Sequence, residues 1–218
     1  MTQKVRLIIR GFLYKENWTP ISSRKARNSN YTIDFLQCQD GYLKLISQLR
    51  KTYDVSVYFT TYDTTPANTV KSISKIFEPC SFFFSEEHNS SQFTTSKKAL
   101  DSLPAIDGCL NILLRSDMKM TDLFIDKICN FNYRKNQLAL YVLCKEARKP
   151  QKVIDVFQCF YDNSIRIEFS KRIDKLMTDL HRIHKEIYTV CILDGKSAEA
   201  KRCLCTELCK DLFRIYPQ

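Results

Sequence analysis

Glycine is nearly missing from this chain. Four residues in 218 (Gly11, Gly41, Gly108 and Gly195) are about a quarter of the usual ~7%. They stand too far apart for G-x-G-x-x-G, a Walker loop or a G-x-S-x-G elbow. A nucleotide site cradled by a glycine loop is therefore excluded, while one held by side chains is not. Long hydrophobic runs are missing too. The longest, residues 138–144 (LALYVLC), is far short of the ~20 residues needed to span a bilayer. The opening Met1-Thr-Gln-Lys-Val has no apolar h-region, which speaks against a signal peptide. No C-x-x-C pair occurs among the ten cysteines. Their one cluster, Cys203-Leu-Cys205 with Cys209, has no histidine beside it and does not read as a zinc site. Without a secretion signal these cysteines read as reduced thiols that pack as small hydrophobes, and the expected location is cytoplasmic. No internal repeat or low-complexity linker appears, so one domain over residues 1–218 is expected.

What is present describes a basic globular protein. Hydrophobic residues make up 44%, and 26 side chains are aromatic. A chain of this length buries roughly 70% of its unfolded surface without disulfides or structural metal. Lys and Arg number 34 against 24 Asp and Glu, leaving +10. The excess is uneven: +6 over residues 1–30, −2 over 31–107, +4 over 108–149 and +2 over 150–218. A nucleic-acid reader more often carries one continuous basic patch with interleaved aromatics. Two basic stretches that meet in the fold suit a compact anion such as a diphosphate, and a diffuse solvated surface is the plainer alternative.

The pattern alternates strand and helix. Residues 5–13 (VRLIIRGFL), 55–60 (VSVYFT), 80–85 (CSFFFS), 109–114 (CLNILL) and 138–144 read as strands. Between them, residues 34–53, 69–77, 90–103 and 121–129 read as helices, and residues 14–33 as a polar loop around Trp18. Phe82-Phe83-Phe84 reads as core. Residues 170–188 and 197–213 read as amphipathic helices, with an uncertain strand over 190–193. The expected class is α/β: a central, mostly parallel mixed sheet flanked by helices, with a helical C-terminal part.

Ligands of such sheets gather at the carboxyl ends of the strands. There stand Arg10-Gly11, then Thr60-Thr61-Tyr62-Asp63, then Arg115-Ser116-Asp117-Met118-Lys119 after the most apolar strand. Arg115 and Asp117 read two ways. They form an ion pair at a strand edge, or Asp117 holds a hard cation while Arg115 meets a phosphate.

The order of these pieces resembles a family. Arg10-Gly11, then Thr61-Tyr62-Asp63, then Gln92 with Ala99-Leu100, then Arg115-Ser116-Asp117 is similar to the pattern of the small GT-A-type glycosyltransferases encoded by large DNA viruses of algae and by some bacteria. The match covers about residues 4–120, with weaker echoes around Asp155 and His181. The resemblance implies a nucleotide-sugar donor on residues 1–120 and a glycan acceptor on 121–218. By position it puts Arg10 and Gly11 beside the nucleotide, and Thr61, Tyr62 and Asp63 on the base or ribose. Asp117 would be the ligand of Mn²⁺ or Mg²⁺, and Arg115 a donor-phosphate or sugar contact. The family's metal motif is often D-x-D, and here Lys119 stands in the second place. Either one carboxylate suffices or Lys119 takes over part of the metal's charge.

The expected function is transfer of a hexosyl or deoxyhexosyl unit from a UDP- or GDP-linked donor to a glycan, assisted by a divalent metal. If the protein is viral, the host cytoplasm is its place. An inverting reaction also needs a base at the acceptor hydroxyl. Asp155 is the candidate, its other reading being a helix cap or surface acid. His181 and His184 share a helix face, and a solvated face explains them as well as a phosphate or metal contact does. The competing functions are a basic nucleic-acid-binding protein, carried only by the net charge, and a non-catalytic interaction protein on a transferase fold. A longer multi-domain enzyme of which these residues are the first domain is a further expectation. Oligomeric state is not legible.

Overall fold

The computed structural model describes residues 2–18, 31–89, 94–130, 139–141, 157–161, 163, 166–167, 170–171 and 212–214. Its first strand, β1 (Lys4–Arg10), lies in the middle of a sheet: four of its residues are apolar, and all but Lys4 are buried. A hairpin follows, β2 (Tyr14–Trp18) and β3 (Tyr31–Asp34), and then α1 (Gln39–Leu49). The chain continues through β4 (Asp54–Tyr62), α2 (Ala67–Ile76), β5 (Cys80–Ser85) and α3 (Thr94–Ser102). It returns through β6 (Leu110–Arg115), β7 (Met118–Met120) and α4 (Asp122–Cys129). Three short strands complete the described elements: β8 (Ala139–Tyr141), β9 (Phe157–Phe160) and β10 (Leu212–Arg214).

The main sheet has six strands in the order β5-β4-β1-β6-β9-β8. β5, β4, β1 and β6 are mutually parallel, while β9 and β8 run antiparallel at the far side. The expected mixed, parallel-dominated α/β sheet is thus observed. The chain steps outward from β1 to β4 and β5, then crosses back to β6 on the other flank of β1. At such a reversal, outside the carboxyl ends of β1 and β6, the crevice of an open α/β sheet is expected.

The two faces of the sheet differ. Side chains alternate along a strand, so Val5, Leu7 and Ile9 share one face with Val57, Phe59, Ile112 and Leu114, all buried. On it Phe59 meets Phe35 and Phe77 edge-on at 5.5 and 5.3 Å, and Phe35 meets Tyr42 at 5.1 Å. The other face carries Arg6, Ile8 and Arg10 beside Asn111, Leu113 and Arg115, and is more polar. Tyr62, on the same face as Thr60, lies beside Thr95 of α3, which places α3 over this side.

Four expectations need correction. The stretch 14–33 is not wholly loop: β2 and β3 pair antiparallel, Tyr14 opposite Asp34 and Lys15 opposite Ile33. That pairing joins residues far apart in the chain, so no local period announces it. The helix over 34–53 is shorter, because Asp34 caps a separate 3₁₀ turn at Phe35–Gln37 by accepting from the Leu36 N–H at 3.0 Å. Phe82-Phe83-Phe84 is only partly core, since β5 is a sheet edge and Phe84 is 41% exposed. Finally, residues 212–214 extend as β10 against β7 instead of ending a helix, Phe213 lying opposite Lys119. Most of the helices expected over 170–188 and 197–213 lie outside the described residues, as does the segment 190–193. Among the described residues no helix is long and apolar enough to cross a membrane.

Phe35 is the residue through which β3, α1, β4 and α2 meet. Phe35→Ala is expected to cost about 3–5 kcal/mol, read as a lower urea midpoint at unchanged slope.

Candidate functional site

The register of β1 builds the crevice. Arg10 lies opposite Thr60 on one side and Arg115 on the other. The ladder runs one residue further, with the Gly11 N–H donating to the Thr60 carbonyl at 3.0 Å and the Ser116 N–H to the Arg10 carbonyl at 2.9 Å. Gly11 then turns at φ +118°, a conformation that L side chains rarely adopt. A Cβ there would stand 3.0 Å from Ser116 Oγ. Ser116 Oγ in turn donates to the Phe12 carbonyl at 2.6 Å. The exits of β1 and β6 are therefore stitched together, and glycine at position 11 is what lets them approach.

On the β6 side Arg115 grips Asp117 with two parallel bonds, Nε to Oδ1 at 2.7 Å and Nη2 to Oδ2 at 2.5 Å. The Asp117 side chain is 4% exposed and that of Arg115 16%. Beneath them Tyr42, wholly buried, donates its hydroxyl to the Arg115 carbonyl. Burial holds the Tyr42 phenol well above its ordinary range, so it stays a donor. The Cys38 thiol is pushed up to about 12, by burial first and then by the Asp117 charge. It is an inert neighbour of the pair, not a nucleophile. Lys119, two residues on in β7, is exposed.

On the β4 side the wall is aromatic. The Phe12 and Tyr62 rings lie 4.4 Å apart, and Lys15 Nζ stands 5.7 Å from the Phe12 centroid. Burial raises the Tyr62 phenol to about 12, against the pull of Arg10 and Arg115. Behind the wall Glu87 gathers three segments. Its carboxylate accepts from Lys15 Nζ and Thr64 Oγ1, and its own N–H donates to Asp63 Oδ1 at 3.2 Å. Burial works against the Glu87 carboxylate, but the Lys15 and Thr64 bonds outweigh it and its pKa lies below the ordinary glutamate value.

Seven of the nine residues expected at the site, Arg10, Gly11, Tyr62, Asp63, Arg115, Asp117 and Lys119, come together at the carboxyl edge of β1, β4 and β6. Arg10, Tyr62 and Asp117 are buried, and Asp63 and Lys119 are exposed. Thr61 is fully buried, and its hydroxyl, 2.9 Å from that of Thr65, braces the turn into α2. Asp155, His181, His184 and the Cys203–Cys209 cluster lie outside the described residues. Phe12, Lys15, Tyr42, Glu87 and Ser116 escaped sequence reasoning. The signal for Glu87 was no more than its place just past a strand end.

The fit of Mn²⁺ or Mg²⁺ on Asp117 can be judged from these contacts. Hard cations need several oxygen ligands. Among the described residues no three His, Cys, Asp or Glu side chains come together. Both oxygens of Asp117 are engaged by Arg115, and Lys119 brings a positive charge where a second carboxylate would stand. The described residues do not make a divalent-cation site.

Two outcomes are expected. Gly11→Ala should destabilise by about 1–3 kcal/mol and by more than Gly108→Ala. Both glycines have positive φ, but a Cβ at Gly108 meets nothing within 4 Å; chemical denaturation of both variants reads the difference. Glu87→Gln tests the bond cluster. Because the folded-state pKa of Glu87 is lowered, its contribution is present above the ordinary glutamate pKa and is lost as pH falls through the lowered value. The stability gap between wild type and Glu87→Gln, followed by urea unfolding from pH 7 downward, should close in the acid range.

No protein-family model matches the chain, and no curated protein is similar to it in sequence. Solved structures do match in fold. Apo glycosyltransferase GlyE of Streptococcus pneumoniae TIGR4 superposes at a TM-score of 0.50 with 11% identity, over 90% of this chain and 44% of GlyE. Galactosyltransferase LgtC, solved with donor and acceptor sugar analogs, superposes at 0.50 with 8% identity, over 88% of this chain and 69% of LgtC. The chain thus spans less than half the length of GlyE. The α/β fold built around the β1–β6 crevice is the fold of GT-A-type glycosyltransferases.

Proposed function

We propose that this chain transfers a sugar, a hexosyl or deoxyhexosyl unit, from a UDP- or GDP-linked donor to a glycan acceptor. The observation that carries the reading is the crevice at the sheet's reversal point, where Arg10 and Arg115 stand in register on neighbouring strands with Lys119 beyond them. Arg10 and Arg115, one from each basic stretch of the sequence, meet there. The shared fold supports the same class of chemistry.

Cleavage of the sugar–phosphate bond leaves a nucleoside diphosphate, so negative charge grows on the leaving oxygens. Fixed cations in a partly buried crevice stabilise that charge without reorganising. The partly exposed Phe12, backed by the buried Tyr62 ring, offers an apolar surface to the flat base, with the Asp63 carboxylate beside it as an acceptor for ribose hydroxyls or a base N–H. The acceptor hydroxyl must lose a proton, and Asp155 is the proposed base. The reading needs no catalytic cysteine: burial holds the thiols of Cys38, Cys80, Cys109 and Cys129 above their ordinary pKa.

The test is thermal. UDP or GDP at 100 times its dissociation constant should stabilise the folded chain by about 2.7 kcal/mol, several degrees of Tm at this size. Failure of UDP, GDP and their sugar conjugates to move Tm at millimolar concentration would sink the donor reading. A steep fall of binding to DNA or RNA with salt, in the absence of any nucleotide shift, would point to nucleic acid instead.

A further inference from the structure

We propose that the base of the donor is guanine. Asp63, aimed by Glu87, accepts from the two neighbouring N–H groups of the guanine edge, and Lys15 donates to the carbonyl beside them. The donor is then GDP-linked rather than UDP-linked. The inference rests on the donor reading above and adds to it which base is read.

Asp63 follows the last residue of β4 directly and is exposed. Its Oδ1 accepts from the Glu87 N–H at 3.2 Å, which sets the direction of the carboxylate. Among the described residues Oδ2 receives no donor and no cation pairs with Asp63. The nearby cation is spoken for elsewhere: Lys15 Nζ donates to the Glu87 carboxylate, whose other oxygen accepts from Thr64 Oγ1. An ammonium has three donors, so two of those of Lys15 are left over. The Lys15 side chain is 35% exposed, and its Nζ stands 5.7 Å from the centroid of the partly exposed Phe12 ring. Glu87 therefore spends both of its own oxygens as a brace. It holds an open acceptor through its backbone and an open donor through its side chain, next to an aromatic ring.

Base chemistry decides what suits such a pair. An ionised carboxylate only accepts, and an ammonium only donates. On their pairing edges adenine and cytosine each set an amino donor next to a ring-nitrogen acceptor, and uracil sets its single N–H between two carbonyls. A carboxylate laid against any of these faces at least one lone pair, which is a repulsive contact. Guanine alone puts two donors side by side, the ring N1–H and the 2-amino group, with the O6 carbonyl next in line. That edge asks for a carboxylate with a cationic donor beside it, and hydrogen bonds to charged groups are the stronger ones. Ribose hydroxyls donate and accept alike, so they would use Asp63 but would give Lys15 no task. A base stacked on Phe12 turns its edge toward both.

Isothermal titration of GDP, UDP and inosine diphosphate into the full chain tests this. GDP should bind about tenfold tighter than UDP or more. Inosine diphosphate, which differs from GDP only in lacking the 2-amino group, should also fall about tenfold below GDP. Asp63→Asn should weaken GDP about tenfold, leave UDP within about twofold, and strengthen xanthosine diphosphate, whose extra carbonyl accepts from the new amide. Lys15→Met should weaken GDP and inosine diphosphate alike, about fivefold, because both keep the O6 carbonyl. If a variant does not fold, the three nucleotides on the wild-type chain carry the test alone. Equal affinity for GDP, UDP and inosine diphosphate, or tighter binding of UDP, would overturn the inference and leave the donor reading standing. Equal affinities that all weaken together in Asp63→Asn would make Asp63 a ribose contact instead. Absence of binding by any of the three would remove the donor reading and this inference together.

Discussion

The parallel pairing of β1 with β6 is the constraint on which the rest depends. It brings residues 5–10 beside residues 110–115, joining two stretches separated by the whole outward half of the fold. Because β1 is already paired to β4 on its other side, it is buried on both flanks and both faces. It can tolerate Arg6 and Arg10 only where a polar side is available. That side is the one facing α3, while on the opposite side β1 presents only Val5, Leu7 and Ile9. The polarity of the crevice and the apolarity of the aromatic core are thus two faces of one strand.

From that pairing the local chemistry follows. Two strand exits that lie adjacent must separate again, and here they do so at Gly11 and Ser116, in contact. The close approach explains why one of only four glycines stands there. Beyond the exits stand short polar links. Arg115 with Asp117 forms one such link and Glu87 with Lys15 and Thr64 another, so charge is presented by side chains whose partners fix their direction. A glycine-rich loop would present backbone N–H groups instead. The scarcity of glycine and the richness in arginine and lysine describe the same design choice.

Much of this was readable from the residues. The five apolar β-rich runs all appear as strands, β5 with its ends unchanged, because buried parallel strands leave continuous apolar runs with turn residues around them. The strand-end rule found Arg10, Tyr62, Asp63, Arg115 and Asp117 together. What it missed has a physical pattern. β2 with β3 and β7 with β10 are short two-stranded pairings between distant segments, whose stabilisation comes from partners and not from local period. Thr61 and Thr60 are adjacent in sequence but alternate across the sheet, so one braces a turn while the other lies in the row of Arg10. Glu87 and Tyr42 act through bonds to residues 23 to 73 positions away, which no local motif encodes.

The sequence by itself determined the class of fold, the absence of a glycine phosphate loop, and the presence of two basic stretches at strand ends. These follow from composition and short-range period, which the chain carries residue by residue. Only the tertiary structure decided that Arg10 and Arg115, one from each basic stretch, are neighbours and that Thr61 faces inward. It alone decided that Asp117 spends both oxygens on Arg115. A carboxylate two residues from an arginine has the same spacing whether it binds a metal or that arginine. Burial and register set its contacts here, and both are properties of the packed sheet.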